Sequence, residues 1–91
     1  MKDAVNDTVV LDCLSERLSK LIKRTNTSTQ RLQNELEKSR LFLEGKSFNE
    51  VDARIKSAVE ASRAICEEMQ EAQNYISKLR QEINEYVKLK Y

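Results

Sequence analysis

The side chains here that could do chemistry are two thiols, Cys13 and Cys66, the helix-spaced acids Glu67, Glu68 and Glu71, the bases Arg17, Lys20, Lys23 and Arg24, and three tyrosines. Without histidine, a His-based triad, acid–base pair or zinc site is impossible. Two cysteines alone cannot close a structural zinc site. Glu67 and Glu71 share a helix face, but two carboxylates make an incomplete metal site. One glycine in 91 residues forbids a Gly-rich phosphate loop. Tyr75, Tyr86 and Tyr91 are too sparse for base stacking. The basic group is explained more simply as the complement of the acids than as a phosphate site. The chemistry therefore points away from an enzyme, with no catalytic residue, metal, cofactor or small-molecule substrate expected, and towards a protein that binds other proteins.

Charge supports that direction. Lys and Arg total 16 against 15 Asp and Glu, a formal net charge of +1, which supplies no strong attraction to nucleic acid. Residues 1–45 and 46–91 are each balanced, so neither half is a charged tail. No apolar run approaches membrane-spanning length, and membrane insertion is not expected. The start, MKDAVNDTVVLDCL, has acids where a signal peptide has its apolar stretch. The expected location is the cytoplasm, and any export would go with a partner and without a cleaved signal.

These residues must be carried by helices. Sheet folds need turn residues, and this chain has one Gly and no Pro. Residues 1–8 lack a helical stripe and read as a flexible arm, with Asp7 or Thr8 as first cap. A 3-4 spacing then runs through Leu11, Leu14, Leu18, Leu21, Thr25, Ser28, Leu32, Leu36, Ser39 and Leu43, predicting a helix over 9–43 with a polar interruption at Thr25 and Ser28. Gly45 suits the left-handed position past a helix end. Ser47 and Glu50 form a capping-box pattern after a turn at 44–47. A cleaner seam follows over a helix 48–89: Phe48, Val51, Ile55, Ala58, Ser62, Ile65, Met69, Ala72, Ile76, Leu79, Ile83 and Tyr86.

Two long helices joined by so short a linker must fold back. The predicted fold is all-α, a single antiparallel helical hairpin in which residues whose numbers sum to about 91 lie side by side. In that register Arg17, Lys20, Lys23 and Arg24 face Glu67, Glu68 and Glu71. Glu35 and Glu37 face Lys56 and Arg54, Lys38 and Arg40 face Asp52 and Glu50, and Asp12 and Glu16 approach Lys78 and Arg80. Thr25, Ser28 and Thr29 meet Ser62 in a weak middle layer. The two cysteines stand about 12 residues apart along the helices, roughly 18 Å, too far for a disulfide.

One seam against another leaves flanking apolar residues bare: Val10, Ile22, Leu41, Phe42, Val59, Cys66 and Val87. Domains so thin rarely hold together alone. A second hairpin would complete a four-helix bundle, so the expected partner is a protein, either a second copy or a helical cargo or targeting protein. The candidate partner interface comprises Leu14, Leu18, Ile22, Phe42, Val59, Cys66, Met69 and Val87.

The turn reads Leu43-Glu44-Gly45-Lys46-Ser47-Phe48. It resembles the turn of the small WXG-type hairpins of type VII secretion, with Leu43 in the tryptophan place, Gly45 as the glycine, Ser47 as the small residue and Phe48 as the aromatic. A leucine in the first place is similar to the variant in partner proteins of LXG toxins. The resemblance implies a partner, or targeting chaperone, that binds the helical N-terminal region of a toxin. The family's Tyr-x-x-x-Asp/Glu export signal has no match: Leu79 follows Tyr75 and Lys90 follows Tyr86. The alternative reading is a structural coiled-coil subunit of another assembly, and a helical chaperone or antitoxin masking an enzyme shares the same surface logic.

Overall fold

Nothing between Ala4 and Ser39 can stop a helix, since the stretch holds neither Gly nor Pro, and α1 (Ala4–Ser39) runs unbroken through it. In the computed structural model, which describes residues 4–42 and 45–90, α2 (Gly45–Lys90) follows. The fold is an all-α antiparallel hairpin.

The helix ends depart from expectation. The expected arm at 1–8 is already helical from Ala4, and residues 1–3 lie outside the described residues. Asp7 is not a cap; it sits in the first turn, where a carboxylate still favours the positive end of the helix dipole. α1 closes early through tightened bonds, Leu41 N–H to Lys38 O at 3.2 Å and Phe42 N–H to Ser39 O at 3.0 Å. Leu43 and Glu44 lie outside the described residues. Gly45 takes φ +65°, the left-handed conformation that a glycine at a chain reversal suits. Ser47 falls inside the first turn of α2 rather than before it.

The chain divides into two compact units. The first joins residues 1–22 to 68–91. Here the Gln73 side-chain amide donates to Ser19 Oγ at 2.6 Å and to Ser15 O at 3.0 Å. Arg80 forks onto the Asp12 carboxylate, with Nη2 to Oδ2 at 3.2 Å. Ile22 and Ile76 are its buried apolar side chains.

The second unit spans residues 23–67. Leu36, Val59 and Cys66 are buried in it. The polar middle is as expected in part: Thr29 Oγ1 and Ser62 Oγ lie 2.6 Å apart. Thr29 spends its own proton on Thr25 O at 2.8 Å, so Ser62 is the donor between them. Cys66 Sγ–H points to Asn26 Oδ1 at 3.4 Å. Ser28, expected in this layer, faces outwards.

An added Cβ at Gly45 would meet nothing within 4 Å, so its backbone angle is the whole constraint there. Gly45→Ala should cost about 1–2 kcal/mol through left-handed strain, lowering Tm by roughly 4–8 °C per kcal/mol, and Gly45→Asn should cost less. Thermal denaturation followed by circular dichroism checks both.

Candidate partner-binding face

The seam that forms is not the one the leucine spacing suggests. On α1 the covered positions are Asp7, Thr8, Leu11, Ser15, Leu18, Ile22, Thr25, Thr29, Gln33, Leu36 and Ser39. On α2 they are Phe48, Asp52, Ile55, Val59, Ser62, Cys66, Met69, Gln73, Ile76, Ile83 and Val87, with Leu79 also half covered. Leu14, Leu21, Ser28 and Leu32 give way to Ser15, Ile22, Thr29 and Gln33, and Val51, Ala58, Ile65, Ala72 and Tyr86 to Asp52, Val59, Cys66, Gln73 and Val87, while Leu79 keeps its place. Ile22, Val59 and Cys66, expected to be bare flanks, are therefore core, at 8%, 6% and 7% exposure. Leu14, Leu21, Val51, Ala58, Ile65, Ala72 and Tyr86, expected in the seam, lie outside it.

The physical reason is legible on α1. The row Leu14, Leu21, Ser28 continues at heptad spacing to Glu35, which would push a carboxylate into the contact. The row Ser15, Ile22, Thr29 continues to Leu36, and the Thr29 hydroxyl finds partners in Thr25 O and Ser62 Oγ. Gln73 enters the seam because Ser15 and Ser19 satisfy it.

The expected interface residues thus separate into three groups. Ile22, Val59 and Cys66 are spent inside the hairpin. Leu18, Met69 and Val87 are half-buried at its margin. Leu14, at 46%, and Phe42, at 83%, are open to a partner. The residues that sequence spacing misassigned supply the rest of the apolar surface: Leu21 and Tyr86 in the first unit, Val51 and Ile65 in the second.

Charge adds a clasp beside the turn. Arg40 stacks its guanidinium over the Phe48 ring at 5.6 Å and reaches Asp52 Oδ1 at 3.7 Å. Lys56 Nζ holds Asp52 Oδ2 at 2.8 Å. The Lys56 hydrogen bond, reinforced by the charges of Lys56 and Arg40, keeps the Asp52 carboxyl below its ordinary value of 3.8, against a smaller opposing effect of burial. Arg40–Asp52 and Asp12–Arg80 are two pairs the register anticipates. The larger block is not realised: among the described residues Arg17, Lys23 and Arg24 form no ion pair with Glu67, Glu68 or Glu71, and Lys20 turns to Glu16 on its own helix. Glu35 and Glu37 likewise pair along α1, with Lys38 and Arg40.

Cys13 is exposed and Cys66 buried, and both are free. Among the described residues no three His, Cys, Asp or Glu side chains gather as metal ligands. No described helix is long and apolar enough to cross a membrane. No protein-family model, curated protein or solved structure matches the chain.

Asp52 gives the clasp a pH signature. Its folded pKa lies below the unfolded one, so its contribution to stability is complete above about pH 4 and is lost as pH falls through the folded value. Asp52→Asn should flatten the acid limb of a Tm-against-pH curve, leaving wild type and variant closest at the lowest pH. Calorimetry across pH 2–7 checks this.

Proposed function

We propose that this chain is a helical binding partner that covers apolar helices of another protein, and that this protein is a type VII secretion cargo such as an LXG toxin, which it masks and targets. The observation that supports binding is the uncovered apolar row: Ile65 is 54% exposed and Val51 38%, on a helix that has an adjacent, less apolar row packed inside. The turn supports the choice of cargo. Gly45, the glycine of the WXG-type resemblance, takes φ +65°, and Phe42 and Leu41 stand exposed near it. The chain would work in the cytoplasm and leave it only with a partner that carries an export signal. The structural-subunit reading is favoured by one feature: neither Tyr75 nor Tyr86 begins the family's signal.

Co-expression with the helical N-terminal region of a neighbour-encoded LXG toxin, followed by size-exclusion chromatography, tests the proposal. A stable complex is expected. Ile65→Lys and Phe42→Ala should each weaken it at least tenfold while shifting Tm little, because both side chains are exposed in the free hairpin. A toxin region that elutes apart from the chain would overturn the cargo assignment and leave the structural-subunit reading.

A further inference from the structure

From Arg17 to Asn34 the chain carries five bases and no acid. The part of this run in the second unit, residues 23–34, belongs to α1 and reads Lys-Arg-Thr-Asn-Thr-Ser-Thr-Gln-Arg-Leu-Gln-Asn. At about 100° per residue, Thr25, Thr29 and Leu36 mark the packed side of the helix, and Lys23, Arg24, Thr27, Arg31 and Asn34 fall within an arc of about 100° on the opposite side. All five are exposed, and none is apolar. Among the described residues Lys23, Arg24 and Arg31 form no ion pair. The next acids along the helix, Glu35 and Glu37, are held by Lys38 at 3.4 Å and by Arg40 at 3.7 Å.

The same face carries hydrogen-bonding groups. Thr27 Oγ1 donates to Lys23 O at 2.9 Å. Gln30, at the edge of the arc, donates through Nε2 to Asn34 Oδ1 at 3.2 Å. Among the described residues that pair keeps an acceptor, Gln30 Oε1, and a donor, Asn34 Nδ2, for another molecule.

We propose that the outward face of α1 over residues 23–34 docks in the major groove of double-stranded DNA. This surface is distinct from the row of Val51 and Ile65, which lies on α2. The occupant follows from what the face has and lacks. A protein partner needs a buried aromatic or aliphatic anchor, and an anionic membrane needs apolar side chains to insert; the arc offers neither. Single-stranded nucleic acid is held by stacking on aromatic rings, and residues 23–34 contain none. A-form RNA has a major groove too narrow for a helix. The major groove of B-form DNA is about 12 Å wide and admits a helix 10–12 Å across. Lys23 and Arg24 stand about 100° apart on the helix, so they reach the phosphates of opposite groove walls, and Arg31 lies close to the line of Arg24. Between the walls, the amide pair of Gln30 and Asn34 presents the acceptor and donor that complement the edge of adenine. The net charge of +1 is a sum over the whole chain. Salt screens charge beyond about 8 Å, so a duplex on this side of α1 responds to the face it touches.

Fluorescence anisotropy of a labelled duplex of about 20 base pairs, titrated with the full chain, tests the proposal. Binding with a Kd of roughly 10 µM at 50 mM salt is expected, weakening with salt at a log–log slope of about −2.7 for three phosphate contacts. Lys23→Gln, Arg24→Gln and Arg31→Gln combined should weaken it at least tenfold, with helicity by circular dichroism retained. Arg31→Gln alone should reduce the slope by about one. Lys46→Gln, Lys78→Gln and Lys88→Gln combined remove the same charge elsewhere and should change the affinity less than twofold. No binding at 100 µM, equal losses in the two triple variants, equal or tighter binding of single-stranded DNA or duplex RNA, or tighter association with phosphatidylglycerol vesicles would overturn the proposal.

Discussion

Everything in this molecule depends on one geometric shortage: each helix carries more apolar rows than a single neighbour can cover. A two-helix contact closes over a strip two positions wide. Leu11, Leu14 and Ile22 on α1, or Ile55, Ala58 and Val59 on α2, span three. One row must stay outside, and which row it is decides both what the core contains and what surface remains for others.

On α2 the row left outside, Val51, Ala58, Ile65, Ala72 and Tyr86, is the more apolar one. Inside, the hairpin accepts Thr29, Ser62 and Gln73, each hydrogen-bonded through its side chain. The buried apolar set is Ile22, Leu36, Val59, Cys66 and Ile76, and no side chain is fully enclosed. Five such side chains, each contributing about 1.5–3 kcal/mol, are few against the backbone entropy of two long helices. The exposed ion pairs add little, roughly 0–1 kcal/mol each. A satisfied polar seam specifies the register without supplying much cohesion. Further apolar side chains, Leu14, Leu21, Val51 and Ile65, are left exposed on the surface.

The hairpin itself was readable from the residues: a lone glycine, no proline, two heptad-like stretches, and the level pairs Asp12–Arg80 and Arg40–Asp52. The choice of row was not, because Leu21 and Ile22, or Ile65 and Cys66, are neighbours on the same stripe and spacing alone scores them alike. The deciding signals were negative or tertiary: Glu35 at the end of the leucine row, and the Ser19 hydroxyl and Ser15 main-chain carbonyl placed to satisfy Gln73. Helix ends were obscured for a similar reason. Asp7 and Ser47 look like caps, yet both fall within a first turn, because Ala4 and Gly45 begin the helices earlier. The register placed Arg40 beside Asp52, but its stacking over the Phe48 ring carried no sequence signal.

The native thiols report the row choice directly. Cys66 belongs to the packed row and is 7% exposed, whereas Cys13 is open to solvent. Had the leucine row packed instead, Ile65 would be covered and Cys66 would stand at the flank. Timed alkylation of the unmodified chain under native conditions, read by peptide mass spectrometry, separates the two cases. The account predicts rapid labelling of Cys13 and labelling of Cys66 at least a hundredfold slower, limited by opening of the hairpin. Equal rates at the two cysteines in a folded, helical sample would contradict it.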